Sequence, residues 1–259
     1  MAEKLAEEKI NKILEFYKQG FNYTQISKIM QISRNTVSKY VRQVGLASIK
    51  LNHGKTTFNN LFNKIDTEET AYWLGFLYAD GYLESSAYRI GLGSIDEEHI
   101  QKFKTFVGSE NKILHEASKN SNHSDYFRFK FSSKIVYNNL INLGVFPQKS
   151  LIVKCPDEKQ VSNHLFLHFV RGYVDGDGSV LLIRNQPRLY LNGTKDMLNG
   201  IIIRMNWQEK ELMKNKNIYM LHYEGKKIAS IYIKQLYKEA NVYLNRKYNK
   251  YLEIIASLN

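Results

Sequence analysis

Val170–Gly178 reads VRGYVDGDG, an apolar helical stretch that ends in alternating acids and glycines. Gly172 and Gly176 are four residues apart, so on a helix they lie on one face and leave no side chain to hold a neighbouring helix away. Asp177 then falls at the end of the helix, and the glycine after it, Gly178, is the usual left-handed stop. The stretch therefore predicts a closely packed helix with a carboxylate at its C-terminal end.

The same pattern occurs earlier in the chain, where Trp73–Gly81 reads WLGFLYADG. Gly75 and Ala79 form the equivalent stripe of small residues, and Asp80 stands in the place of Asp177. Two helices packed along these stripes bring the two aspartates side by side at one end of the pair. Adjacent carboxylates suit a hard divalent cation such as Mg²⁺, which takes oxygen ligands and keeps several waters.

Two other interpretations of the second copy are weaker. Either copy alone could be a buried helix that ends in glycine, but the repetition of both acids favours a paired site. The run DGDGS from Asp175 also imitates the start of a calcium-binding loop. Val180 then stands where that loop requires glycine, and Gln186 stands where it requires glutamate, so we reject the calcium loop.

Both stretches resemble the LAGLIDADG motif of homing endonucleases, in which the acid at the eighth position binds the catalytic metal ions. The resemblance implies that Asp80 and Asp177 are catalytic and hold Mg²⁺, with Mn²⁺ as a substitute. It also implies a metal-binding role for the backbone at Gly81 and Gly178. Because one chain carries both copies, the enzyme is expected to be a monomer.

The fold implied by the resemblance is α+β: a pseudo-symmetric αββαββα tandem repeat with a small all-α domain at the N-terminus. The predicted parts are a helix-turn-helix domain at 1–46, a linker at 47–65, a first LAGLIDADG half at 66–150 and a second half at 151–259. The copies differ at the sixth motif position, where the first has Tyr78 and the second Asp175. The resemblance gives that position no catalytic role.

Composition points to a polyanionic partner. The 259 residues carry a formal net charge of +12, which favours nucleic acid. The single cysteine excludes an internal disulfide and a zinc cluster of thiolates. No apolar run approaches the length that spans a bilayer, so no membrane partner is expected, and the chain is predicted to be a soluble protein of the cytoplasm or nucleoid.

Periodic apolar residues near the N-terminus predict three short helices, of which Gly20 ends the first and Thr24 caps the second. The last two resemble a helix-turn-helix, with Gln31 in place of the usual turn glycine. Its second helix would lie in the major groove of DNA. The residues that it would present are Arg34, Asn35, Ser38, Lys39 and Arg42. A three-helix bundle with a solvated basic face is the alternative.

Alternation in the predicted strands separates a core face from a basic face. In YFRFKF, residues 126–131, the phenylalanines fall on one side, and tyrosine, arginine and lysine fall on the other. A basic sheet face suits duplex DNA because phosphate neutralisation supplies much of the affinity. The residues predicted to face DNA are Arg89, Arg128, Arg184, Arg188, Tyr190 and Asn192.

The family also places a lysine close to the metal ions. Alignment through the strand at 126–131 assigns that place to Lys130, although an ordinary exposed strand lysine remains the alternative. In the second half, a strand predicted at Lys227–Ile233 puts the equivalent at Ser230. Lys226 and Lys227 are the nearest substitutes, and Lys227 is predicted as the second catalytic lysine.

The predicted function is a metal-dependent double-strand break in a long DNA site, which the resemblance associates with intron or intein mobility. One alternative is a DNA-binding regulator that keeps the LAGLIDADG fold without catalysis. Another is a maturase whose partner is intron RNA. The presence of both acids, Asp80 and Asp177, favours the nuclease.

Overall fold

The computed structural model describes residues 5–18, 23–43, 60–118 and 124–258. Its N-terminal part has three helices: α1 (Glu7–Lys18), α2 (Tyr23–Met30) and α3 (Arg34–Gln43). Their apolar faces meet in a small core of fully buried side chains, which are Ile13, Ile26, Val37 and Val41. Burial of these periodic residues stabilises helices that are too short to persist alone.

The turn between α2 and α3 contains Gln31 with φ 52°, so this residue adopts the left-handed conformation that a turn glycine usually supplies. Thr24, predicted as a cap, lies inside α2 instead. The predicted helix end at Gly20 and the side chain of Arg42 fall outside the described residues. Of the predicted linker, residues 60–65 are described, and its Phe62 is buried in the core of the first half.

The first half has the predicted order of helices and strands. Its elements are α4 (Glu68–Ala79), β1 (Tyr82–Glu84), β2 (Arg89–Ser94), α5 (Glu97–Val107), β3 (Leu114–Glu116), β4 (Tyr126–Ser132) and α6 (Lys134–Asn142). The antiparallel sheet has the strand order β1-β2-β4-β3. In β4, Phe129 and Phe131 are buried while Arg128 and Lys130 are exposed, as the alternation predicts.

The second half repeats this order. Its elements are α7 (Asn163–Asp177), β5 (Gly178–Ile183), β6 (Gln186–Gly193), α8 (Lys195–Arg204), β7 (Met213–Asn215), β8 (Ile218–Glu224) and α9 (Ala229–Tyr237), followed by α10 (Asn245–Ala256). Its sheet is also antiparallel, with the order β5-β6-β8-β7. The predicted αββαββα repeat is therefore confirmed. No helix in the described part of the chain is long and apolar enough to cross a membrane.

The strand predicted at Lys227–Ile233 is wrong, because this stretch enters helix α9. Several isoleucines give the stretch the composition of a strand. However, Ala229, Ile233 and Leu236 are fully buried at helical spacing, whereas Ile231 is 58% exposed. The last two strands of the second sheet are β7 and β8 instead.

Helices α4 and α7 join the two halves and pack against each other through small residues. A Cβ atom built on Gly75 would lie 1.9 Å from the carbonyl oxygen of Phe169. A Cβ atom on Gly172 would lie 1.9 Å from the carbonyl oxygen of Tyr72. These distances are far below van der Waals contact, so the backbones approach this closely only because both positions are glycine.

The glycines that follow the two helices are not left-handed stops. Gly178 has φ −98° and ψ 176°, so the chain passes directly from α7 into β5 in an extended conformation. A Cβ atom there would lie 2.7 Å from the carbonyl oxygen of Val174 and 2.9 Å from that of Tyr190. Lack of space, rather than a positive φ, requires glycine at this position.

Candidate metal centre and nucleic-acid interface

Asp80 directly follows α4 and Asp177 is the last residue of α7, so the packing of the two helices brings both acids to one end of the pair. A Cβ atom built on Gly176 would lie 3.3 Å from Oδ2 of Asp80 and 2.3 Å from Cβ of Ala79. The carboxylate of Asp80 therefore lies against α7, one residue before Asp177. Both aspartates remain exposed to solvent, which leaves them open to a ligand.

The protein around the two carboxylates disfavours their charged forms. Desolvation, and then the negative charge of Asp80, raise the pKa of Asp177 to about 6. Desolvation also raises the pKa of Asp80, against the attraction of Lys247 and Lys149. Part of each aspartate stays accessible to water, and protein atoms replace water around the remainder. Two close carboxylates with raised pKa values favour a bound cation, which would offset their repulsion.

Two buried lysines that sequence analysis did not select lie beside the acids. Lys149 is 7% exposed, and its Nζ donates to the carbonyl oxygens of Ala79, at 3.1 Å, and Gly81. Lys247, in the first turn of α10, is 3% exposed. Its Nζ donates at 2.6–2.7 Å to the carbonyl oxygens of Val174, Asp175 and Gly178.

Each buried lysine thus lies at the C-terminal end of one motif helix, where a positive charge is favourable. Burial lowers the pKa of Lys247 to about 8, opposed first by the negative charge of Asp175. Burial also lowers the pKa of Lys149, opposed by Asp177 and Asp80. Nothing in the local sequence marks these lysines, since their burial depends on helices that are distant in the chain.

The carbonyl oxygens of Gly81 and Gly178, predicted as metal ligands, accept hydrogen bonds from Lys149 and Lys247. An ammonium group repels a cation, so neither carbonyl suits a metal ion while its lysine is in place. Within the described residues, no cluster of three or more His, Cys, Asp or Glu side chains could hold a metal. The protein therefore offers two carboxylates, which fit Mg²⁺ or Mn²⁺ with water as the remaining ligand better than they fit Zn²⁺.

The two lysines predicted as catalytic are exposed, unlike Lys149 and Lys247. Lys130 is exposed on β4, and Lys227 is exposed between β8 and α9. The lysine charges that act most strongly on the pKa values of the two acids are those of Lys149 and Lys247. Lys130 lines a basic cavity together with Arg89 and Lys112, and these positive charges suit an anion.

Strand register also corrects the second-half equivalent of Lys130. In the first sheet, Lys130 pairs with Gly91, which in turn pairs with Tyr82, two residues after Asp80. In the second sheet, His222 pairs with Tyr190, which in turn pairs with Ser179, two residues after Asp177. His222 is therefore the residue at the same place. The predicted equivalence with Ser230 is wrong, since that residue is in α9.

All residues predicted to face DNA on the sheets, except Arg184, lie on the outer faces of the two sheets. On β6, Arg188, Tyr190 and Asn192 are partly exposed and alternate with buried leucines. The ring of Tyr190 stacks on that of His222 at 4.2 Å. Arg184 is exposed in the β5–β6 turn with φ 51°.

Three arginines on these faces are paired with glutamates. The pairs are Arg89 with Glu84 at 2.5 Å, Arg128 with Glu116 at 3.3 Å and Arg188 with Glu224 at 2.7 Å. Binding of phosphate by these arginines would require an exchange of partners.

In the N-terminal domain, Arg34, Asn35, Ser38 and Lys39 line one groove with Tyr23 and Gln43.

Comparisons with known proteins agree with this architecture. Residues 5–46 match the family model of a homeodomain-like domain. The search of the curated proteins gave no match. Among solved structures, the homing endonuclease I-WcaI bound to its DNA recognition sequence has a TM-score of 0.52 at 13% identity, over 73% of this chain and 87% of that chain.

Two further solved structures are similar at lower scores. The LAGLIDADG meganuclease I-AabMI bound to uncleaved DNA has a TM-score of 0.47 at 10% identity, over 71% of this chain and 88% of that chain. The N-terminal LAGLIDADG domain of DUF199/WhiA has a TM-score of 0.45 at 16% identity, over 73% and 92%. From the likeness to I-WcaI, the chain has the LAGLIDADG homing endonuclease fold, with a helix-turn-helix added at its N-terminus.

Proposed function

We propose that this protein is a metal-dependent endonuclease that makes a double-strand break at a specific site in duplex DNA. The observation that carries the proposal is the pairing of Asp80 and Asp177 at one end of the α4–α7 contact. The net charge of +12 and the shared fold with a DNA-bound homing endonuclease support DNA as the substrate. One chain supplies both acids, which supports action as a monomer.

The residues at the site would have separate roles. Asp80 and Asp177 would hold Mg²⁺, which would supply an activated water and charge stabilisation of the leaving oxygen. Lys149 and Lys247, fixed by carbonyl groups beside the acids, would offset negative charge that develops on the scissile phosphate. The glycine contact between the helices keeps the acids together, so that each half would cut one strand of the DNA duplex.

A plasmid-library assay tests the proposal. The full chain is incubated with Mg²⁺ and a supercoiled library of random inserts, and the linear products are sequenced, with EDTA as the control. We expect linear products that share one long site and that are absent in EDTA. Sequence-specific binding of DNA without cleavage in Mg²⁺ or Mn²⁺ would contradict the proposal and identify a regulator. Binding of structured RNA alone would identify a maturase.

The helix-turn-helix is expected to contribute affinity through phosphate contacts rather than catalysis. In the full chain, Arg34→Ala combined with Lys39→Ala should reduce the slope of log affinity against log salt by about 2, because each lost phosphate contact removes about one unit. Cleavage at saturating protein should persist, since both residues are outside the paired-acid site. The measurement is binding at several salt concentrations.

Lys12→Ala is the matched control, because Lys12 is an exposed lysine on α1, outside the groove lined by Arg34 and Lys39. Its salt dependence should equal that of the wild type. An unchanged slope in the double variant would exclude these side chains from DNA contact.

The raised pKa of Asp177 predicts a pH-dependent stability of the metal-free protein. Its folded pKa of about 6 lies above the ordinary value of 3.8, so stability is lost as pH rises through that interval. Asp177→Asn has no charge to desolvate. Its melting temperature in EDTA should match the wild type near pH 4 and exceed it above about pH 6.5. A difference that does not vary with pH would show that the shift is absent.

A further inference from the structure

Asp175, at the sixth motif position, is the most fully satisfied buried carboxylate beside the site. It is 1% exposed. Its Oδ1 accepts a hydrogen bond from the hydroxyl of Tyr237 at 2.5 Å, and its Oδ2 accepts from the hydroxyl of Tyr72 at 2.7 Å and from the backbone N–H of Leu244 at 2.8 Å. A buried carboxylate is costly unless it is hydrogen-bonded in this way. Three donors from three different elements therefore converge on one side chain of α7.

The donor at Leu244 connects Asp175 to helix α10. Leu244 is the N-cap residue of α10, and its own side chain makes no capping hydrogen bond. The carboxylate of Asp175 accepts this N–H from outside the helix, where a negative charge is also favoured by the helix dipole. Lys247 lies three residues later, in the first turn. The contact that fixes the start of α10 therefore also fixes Lys247.

In the first half, a tyrosine hydroxyl takes the place of the aspartate carboxylate. Tyr78 occupies the sixth motif position, and its hydroxyl donates to the carbonyl oxygen of Leu143. A Cβ atom on Gly144 would lie 2.4 Å from the same hydroxyl, so the chain after α6 packs directly on Tyr78. This segment leads to Lys149. In each half, the side chain at the sixth position holds the segment that carries the buried lysine.

We propose that the sixth motif position supplies a positioning residue in both halves: Asp175 places Lys247, and Tyr78 places Lys149, beside the paired acids. The effect of these residues on DNA cleavage rests on the proposed function, whereas the placement of the lysines does not. A merely structural role for the two side chains would loosen the whole α4–α7 region and affect both lysines together.

Lysine accessibility tests the placement without any need for cleavage. The full chain is labelled with an amine-reactive ester, and each lysine is quantified by peptide mass spectrometry. In the wild type, Lys149 and Lys247 should react roughly tenfold or more slowly than exposed Lys130, because they react only through local opening. Asp175→Asn should accelerate labelling of Lys247 alone, and Tyr78→Phe should accelerate labelling of Lys149 alone.

Tyr237→Phe is the matched control, because it removes a hydrogen bond to Asp175 that does not involve α10. It should lower the melting temperature while Lys247 stays protected. The proposal is overturned if both lysines become reactive to the same extent in Asp175→Asn. It is also overturned if folded Asp175→Asn keeps Lys247 as protected as in the wild type.

Strand-specific nicking of the cognate plasmid gives the catalytic readout. Asp175→Asn should slow the same strand as Lys247→Met, and Tyr78→Phe should slow the same strand as Lys149→Met, with nicked circles accumulating in each case. Equal slowing of both strands by Asp175→Asn overturns the positioning role. If the wild type does not cut DNA at all, the proposed function fails, and the labelling pattern alone decides the placement of the lysines.

Discussion

We expect Asp80→Asn and Asp177→Asn each to reduce DNA cleavage by roughly 10²–10³-fold or more, the scale on which loss of one essential electrostatic group acts. Asparagine has the shape of aspartate but no charge, so each change removes one of the two carboxylates that would hold the metal. Binding of DNA should remain within about twofold of the wild type, since under the proposed function affinity would come mainly from phosphate contacts on the sheets and the helix-turn-helix. Single-turnover cleavage and gel-shift titration measure the two effects separately.

Asp66→Asn is the matched control, because Asp66 is an exposed acid near the opposite end of α4. It should cleave like the wild type. Wild-type cleavage by Asp177→Asn would rule out the paired-acid assignment. Loss of DNA binding together with cleavage would instead assign the acids to DNA binding or to folding.

The second large effect is expected at the helix contact, where Gly75→Ala or Gly172→Ala should destabilise the fold. The new methyl carbon would lie 1.9 Å from a backbone carbonyl oxygen of the opposite helix at either position, and neither backbone can yield locally. Overpacking of this kind costs about 3 kcal/mol or more. The corresponding fall in melting temperature is roughly 6–12 °C for a chain of this size.

The expected destabilisation is opposite in direction to the usual effect of alanine in a helix. At an exposed helical position, glycine to alanine stabilises a protein by about 1 kcal/mol, so only the contact between α4 and α7 can reverse the direction. Thermal melts measure the change, and His164→Ala on the exposed side of α7 is the control. Cleavage should fall with stability, because a shift of about 1 Å between Asp80 and Asp177 can cost roughly 10²-fold in rate. A Gly172→Ala protein that melts and cuts like the wild type would exclude this contact.

Local patterns in the chain determined the architecture and the pairing of the two acids. The spacing of Gly75 and Ala79, and of Gly172 and Gly176, is a property of a single helix face, so it can be read without knowledge of the neighbours. The repetition of that spacing before an aspartate identified two helices that pack together. Strand alternation likewise separated the core face of β4 from its basic face.

Only the tertiary structure decided the rest of the site. The isoleucine-rich stretch in α9 has the composition of a strand, and it became a helix because the surrounding core buries Ala229, Ile233 and Leu236 at helical spacing. Lys149 and Lys247 differ by their burial from the other lysines in the described ranges. That burial requires the carbonyl groups at the ends of α4 and α7 to meet segments far along the chain. These contacts depend on packing between elements that are distant in the chain, so a local sequence pattern does not predict them.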